Sequence, residues 1–177
     1  MQQLMKKQRH KYKMRPMLKK IVFGFLVVAS FSGCLKNSDL ANPCDYDPCE
    51  IKAPASEIQQ VQTYLTSNNI TAIQHCSGLF YDVEVAVTGA SPWVCSNITV
   101  NYEGRLTNGN VFDASTSPVT FNLSQVINGW KNGLPLIKAG GRINLYIPPT
   151  LAYGSTSQGS IPANSVLIFK VELIAVQ

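Results

Sequence analysis

From Gly78 onward the chain alternates β-branched and aromatic runs with turn residues, and one short segment interrupts that pattern with helical spacing. LFYDVEVAV (79–87), SNITVNYEGRL (96–106), PVTFNL (118–123), RINLYIPP (142–149) and VLIFKVELIAV (166–176) read as strands. Gly89, Asn108-Gly109, Gly140-Gly141 and Gly154 supply the turns between them. The interruption is Val126-Ile127-Asn128-Gly129-Trp130, which Ser124 is expected to open as a helix. Two branched aliphatics three and four positions before a tryptophan predict one apolar helix face. Gly129 lacks a side chain and lets a neighbour approach the backbone. One short helix must bury its apolar face on the sheet. The expectation is therefore an α+β domain over 78–177, an antiparallel β-sheet wrapped around one short α-helix.

Charge separates this body from what precedes it. Residues 1–20 hold eight of the fifteen Lys and Arg, and no acid occurs before Asp39. From residue 34 onward seven basic side chains face ten acidic ones, so the pI near 9.0 belongs to the leader. A mildly acidic body excludes a nucleic-acid partner on electrostatic grounds. The basic leader is followed by an apolar run from Ile21 to Ala29 and then by Ser30-Phe31-Ser32-Gly33-Cys34. That is the layout of an export signal, and the run is far shorter than the ~20 residues that span a bilayer. It resembles a bacterial lipoprotein signal, with Phe31 where Leu is usual. The resemblance implies a signal over 1–33 and a lipid on Cys34 as the mature N-terminus. Leu35 stands where an Asp is associated with inner-membrane retention, which points to the outer membrane. The expected location is the cell envelope, lipid-anchored and facing the periplasm or the cell surface.

Five cysteines fit this reading. With Cys34 lipidated, Cys44, Cys49, Cys76 and Cys95 remain, enough for two disulfides in three possible pairings. Zinc fits poorly: the spacings are not CxxC, and His75, read as a surface residue, is the only histidine after the leader. Neither metal nor cofactor is expected. Residues 34–55 carry Pro, Asn and Asp without apolar period and read as a tether, with Cys44 and Cys49 spaced to clip it. Ser56 and Gln59 form a capping-box pattern before Ile58, Val61 and Leu65, predicting a helix over 56–68 that ends at Asn68-Asn69. This helix and its connection occupy 56–77, expected to pack on the neighbouring domain. Glycosylation sequons at Asn69, Asn97 and Asn122 carry no weight in a bacterial lipoprotein.

Four motifs in order carry a family resemblance. They are VNYEGRLTNGNVFDAS (100–115), FNLSQVINGWKNGL (121–134), KAGGRINLYIPPTLAYG (138–154) and IPANSVLIFKVEL (161–173). Together they resemble the FKBP-type peptidyl-prolyl cis-trans isomerases, across residues 78–177 only. The resemblance implies rotation about the bond preceding proline, with no bond made or broken. An ordinary peptide bond resists rotation by roughly 18–20 kcal/mol, and X–Pro bonds still need tens to hundreds of seconds. The twisted amide has lost resonance and depends less on water, so an apolar pocket favours it over the planar ground state.

Carried onto this sequence, the resemblance implies Trp130 as pocket floor, with Tyr102, Phe112, Val126, Ile127 and Phe169 as walls. Val119 and Ile161 complete the substrate-binding set, although Val119 stands where an aromatic is common. The Ile127 N–H and the Tyr153 hydroxyl would donate to carbonyls of the bound peptide. Asp113 would orient the twisted amide, with catalysis assigned to Asp113, Tyr153, Phe112 and Trp130. No basic residue lies between Asp113 and Phe121, so Asp113 is expected to lean on the Tyr102 hydroxyl. The implied partners are proline-containing polypeptides, unfolded exported proteins among them, and macrolides such as rapamycin. The polar loop 154–160 (GSTSQGS) departs from the family where ligands are often contacted, which bears on macrolide binding and substrate preference. A non-catalytic chaperone-like module using the same groove is the competing expectation.

Overall fold

The computed structural model describes residues 44–177. The signal segment 1–33, Cys34 and residues 35–43 lie outside the described residues. In chain order the elements are α1 (Ala55–Ser67), β1 (Ile73–Gln74), β2 (Phe80–Val85), β3 (Asn97–Leu106), β4 (Val111–Ala114), β5 (Val119–Asn122), α2 (Asn128–Gly133), β6 (Arg142–Ile147) and β7 (Leu167–Val176). The strands form one antiparallel sheet in the order β1-β2-β6-β7-β3-β4, and β5 also pairs with β3. On its outer edge β3 meets β5 along its first half, Asn97 to Val100, and β4 along its second, Glu103 to Arg105. The α+β expectation of an antiparallel sheet around a short helix holds.

Alternation explains which face each residue takes. Ile143, Leu145 and Ile147 of β6 and Leu167, Phe169, Val171 and Leu173 of β7 all enter the core beneath α2. Tyr146 and Ile168, offset by one, point to the opposite face and pack with Val61 and Leu65 of α1. Away from α1 that outer face is polar: Glu84 accepts from Asn144 and Lys170, and Glu172 from Asn101 and Arg142.

Two expectations about the helices fail. The Ser56 capping box does not form, because the helix begins at Ala55 with Pro54 as N-cap and no side-chain cap. Glu57 in the first turn instead takes the Thr150 N–H and hydroxyl, both at 2.8 Å. The C-terminus ends as expected at Asn68-Asn69: Asn69 turns left-handed (φ 54°), Ile70 N–H reaches Leu65 O and Asn69 N–H reaches Thr66 O. The second failure concerns Val126 and Ile127, which precede α2 in extended conformation instead of sharing a helix face with Trp130. Ser124 sits in a 3-10 turn (Leu123–Gln125) capped by the Asn122 side chain. β-Branched residues resist helical crowding, and an extended entry leaves the Ile127 N–H outside the helix ladder.

Two glycines, Gly129 and Gly133, seat α2 on β6. A Cβ on Gly129 would lie 2.5 Å from Ile147 Cγ2, and one on Gly133 2.5 Å from Leu145 Cδ2. The helix backbone thus rests directly on the strand, one turn apart.

The disulfides are Cys44–Cys95 and Cys49–Cys76, with Cα separations of 5.4 and 5.5 Å. No Cys44–Cys49 clip forms. Residues 44–54 are accordingly fastened to the body, also through Ala53 N–H to Ser77 O and the Tyr46 hydroxyl to Asn132 Oδ1. Closing loops of 51 and 27 residues is worth about 3–4 kcal/mol each by chain entropy. Chemical denaturation with and without a dithiol reductant should show a loss of that order. An unchanged midpoint after verified reduction would contradict it.

Candidate active site

Trp130 enters the core from the middle of α2 and is 4% exposed. Three aromatic rings stand nearly perpendicular to its indole: Tyr102 at 5.4 Å and 81°, Phe121 at 5.8 Å and 88°, and Phe169 at 5.3 Å and 82°. Each comes from a different strand, β3, β5 and β7, at positions whose alternation points inward. The result is a box with an indole floor and aromatic walls, at the mouth of a cavity of about 310 Å³. That is the low end of small-ligand sites and suits one ring and its flanking amides.

The cavity brings together Tyr102, Asp113, Val126, Ile127, Trp130, Tyr153 and Phe169. Phe112 and Ile161 line an adjoining cavity of about 390 Å³ that shares Asp113, Tyr153 and Phe169. Val119 lines neither. It faces Val100 at the start of β5, and Phe121, two residues on, supplies the wall instead. Phe121 and Gln125 are lining residues that the motif reading passed over. The period-2 alternation of β5 puts Val119 and Phe121 on one face, and the indole of Trp130 meets Phe121.

Polar groups at the rim are few and fixed. The Tyr102 hydroxyl donates to Asp113 Oδ2 at 2.8 Å, as the missing basic residue led one to expect. Burial first, then the hydrogen bond and charge of Asp113, push the Tyr102 hydroxyl up to about 12, so it remains a donor at neutral pH. Ser115 holds this pair in register: its N–H reaches Tyr102 O and its Oγ accepts from Tyr102 N–H, each at 2.9 Å. Among the described residues the Ile127 N–H and the Tyr153 hydroxyl have no protein acceptor. Tyr153 follows the 3-10 turn Pro149–Leu151, which Glu57 of α1 pins through Thr150. The first helix thus braces the segment that presents Tyr153.

Phe112 and Asp113 lie on β4, opposite Gly104 of β3. A Cβ on Gly104 would meet Phe112 Cζ at 2.5 Å and Phe169 Cε1 at 2.9 Å. Only a bare backbone lets the Phe112 ring cross the strand and stack on Phe169 at 5.4 Å and 83°. Gly104→Ala should push the half-buried Phe112 outward. Its stability cost should be about 1–2 kcal/mol, since the ring tip can swing into solvent. The catalytic loss should exceed what that cost explains, because the shared wall between the cavities opens. Peptide turnover set beside thermal melting of this variant checks it.

Among the described residues one cluster has metal-ligand chemistry: Cys49, His75 and Cys76 place donor atoms within 4.8 Å of one another. Both sulfurs are joined in the disulfide, whereas zinc takes thiolate. His75 is half-buried instead of a surface residue. Its Nδ1 accepts from Ser77 N–H at 3.2 Å, and burial lowers its pKa.

The family model for FKBP-type peptidyl-prolyl cis-trans isomerases matches residues 91–174. A crystal structure of a peptidyl-prolyl cis-trans isomerase from Pseudomonas syringae pv. tomato matches with TM-score 0.62 and 32% identity, over 71% of this chain and 98% of that one. This chain belongs to the FKBP family. FkpA from Aeromonas hydrophila is 47% identical over 104 residues, covering 57% of this chain and 39% of that protein. Mip from Coxiella burnetii is 44% identical over 125 residues, covering 67% and 54%. The crystal structure of FkpA from Escherichia coli gives TM-score 0.63 at 39% identity, over 70% of this chain and 60% of that one. The chain therefore spans roughly two-fifths to just over half of these curated relatives. Every cavity residue from Tyr102 to Phe169 lies inside the FKBP match, whereas α1, β1 and β2 precede it.

Proposed function

We propose that this chain catalyses cis–trans rotation about X–Pro bonds of exported polypeptides, held at the cell envelope by a lipid on Cys34. The observation that carries the catalytic part is the aromatic box, three rings upright around the Trp130 indole with an open cavity above it. A pyrrolidine ring seated there stacks on apolar surface while its flanking carbonyls meet the Ile127 N–H and the Tyr153 hydroxyl. The planar imide is the more polarised state and loses more by leaving water. Rotation removes that polarity, so the box lowers the barrier without taking part in bonding. Asp113, steadied by the Tyr102 hydroxyl, faces the rotating amide and fixes its orientation.

The lipid reading is supported by cysteine accounting. Both disulfides use the four later cysteines and leave Cys34 outside them. The basic leader, the short apolar run and the small residues before Cys34 supply the rest. Leu35 favours the outer membrane.

Relaxation of a Leu-Pro or Phe-Pro peptide from cis to trans tests the catalysis. The purified chain should accelerate it, and a rate equal to buffer rejects the reading in favour of a non-catalytic peptide-holding groove. Intact mass of the protein recovered from membranes tests the anchor. Loss of residues 1–33 together with acyl mass on Cys34 is expected, and an unmodified thiol there rejects it.

A further inference from the structure

A further cavity, of about 300 Å³, lies against α2 away from the aromatic box. Tyr46, Pro48, Trp93, Asn132, Pro135 and Leu136 line it. The disulfide-fastened segment from Cys44 builds one wall, and the turns after α2 and before β3 build the others. Trp93 is 58% exposed here, beside a partly exposed Leu136. An indole left in water forfeits much of the 150–250 Å² it can bury, so this rim rewards an apolar occupant.

A polar group narrows the choice of occupant. Asn132 is 2% exposed, and its Oδ1 takes the Tyr46 hydroxyl at 2.6 Å. Its Nδ2 is buried with no acceptor among the described residues. A buried donor without a partner is a standing cost, and a small turn of the Asn132 amide toward the cavity would let a ligand carbonyl relieve it. A hydrocarbon chain would cover Trp93 and leave the amide orphaned. An extended polypeptide carries both things needed, a carbonyl at every residue and apolar side chains beside it.

Helix geometry relates this cavity to the catalytic cleft. Trp130 and Asn132 are two residues apart, roughly 200° around the helix at 3.6 residues per turn. The two sites therefore open on opposite sides of α2. A helix with its side chains is about 10–12 Å thick, and an extended chain covers about 3.3–3.6 Å per residue. A client reaches from one site to the other with roughly four or more residues beyond its proline. A tetrapeptide with its proline in the cleft does not.

We propose that the Trp93–Asn132 cavity is a second polypeptide-binding site, taking an extended apolar segment of the client whose proline occupies the cleft. The proposal rests on the isomerase reading and adds a dependence on client length. Trp93→Ser in the full chain tests it, since this exposed side chain lies outside the cleft, with thermal melting to confirm the fold. Against a Phe-Pro tetrapeptide its kcat/KM should equal that of the unaltered chain. Against an unfolded, carboxymethylated protein whose refolding waits on proline, kcat/KM should fall about tenfold through KM, the scale of losing one aromatic anchor. Leu136→Ser should act in the same direction.

A proline-free apolar dodecapeptide provides a separate binding readout. It should shift the tryptophan emission of the unaltered chain to the blue and leave that of Trp93→Ser unchanged. Equal kcat/KM on both substrates for both proteins, or emission that responds to detergent monomers and not to the peptide, overturns the second site and leaves the isomerase reading standing. An unaltered chain inactive on the tetrapeptide would instead sink the isomerase reading, while the dodecapeptide titration would still decide the cavity.

Discussion

Trp130→Leu should lower stability by roughly 2–4 kcal/mol and cut turnover of a Phe-Pro peptide by more than tenfold. The indole makes three edge-on ring contacts between 5.3 and 5.8 Å, each worth about 0.5–1.5 kcal/mol beyond the area it buries. Its N–H has no acceptor among the described residues, so the substitution breaks no hydrogen bond and the whole loss is packing. Leucine keeps the site apolar but removes the flat floor on which a proline ring rests. The part of the floor contact common to planar and twisted states should show as a rise in KM, and the part that favours the twisted imide as the fall in kcat. Trp130→Phe should recover part of both. Denaturant titration and peptide relaxation on the same samples separate the two effects. A Leu variant that melts early yet turns over peptide normally would remove the indole from the site.

Gly133→Val should lower both stability and activity by lifting α2 off β6. The new Cβ would stand 2.5 Å from Leu145 Cδ2 and 2.9 Å from Cδ1, where carbon contacts settle at about 3.5–4.0 Å. Leu145 is fully buried in the main core and has no free side to turn toward. The helix must therefore lift by about an ångström, carrying Trp130 and the Ile127 entry with it. Overpacking of this kind costs about 1–3 kcal/mol, and a β-branched residue adds to it, which lowers the melting midpoint by about 10 °C. Activity should fall further than the population of folded protein, because the floor moves relative to Tyr102 and Phe169 on strands that stay put. Melting and turnover measured at a temperature where the variant is still folded check both parts.

Strands were legible where alternation was long. β3 and β7 run ten residues each and their bounds agree closely with the pattern. β4 was not, because Val111–Ala114 is four residues of mixed exposure whose place is set by the edge of β3. The 126–127 segment misled because spacing alone cannot distinguish a helix face from an extended entry. The deciding group was the Asn122 side chain, which caps the turn upstream. The capping box misled for a similar reason: the Glu57 partner, Thr150, lies 93 residues away.

In the candidate site the Tyr102–Asp113 hydrogen bond was legible through the family resemblance, because the motif places both residues and no basic residue between Asp113 and Phe121 competes for the carboxylate. Phe121 in place of Val119 was not, because both share one strand face and only the position of Trp130 decides between them. Disulfide pairing was equally beyond reach, as four cysteines allow three pairings and tertiary contact selects one.

The cleft is proposed to work by sheltering a twisting imide from water, with no proton in flight. Turnover of a Phe-Pro peptide measured in H2O and in D2O, across about pH 6 to 9, tests this most directly. The Tyr102 hydroxyl keeps its proton until about pH 12, so its bond to Asp113 persists throughout that range. The expected result is kcat/KM that is flat with pH and nearly equal in the two solvents. A rate that drops markedly in D2O, or that follows a titration within that range, would mean that proton transfer limits the reaction and that shelter from water does not explain it.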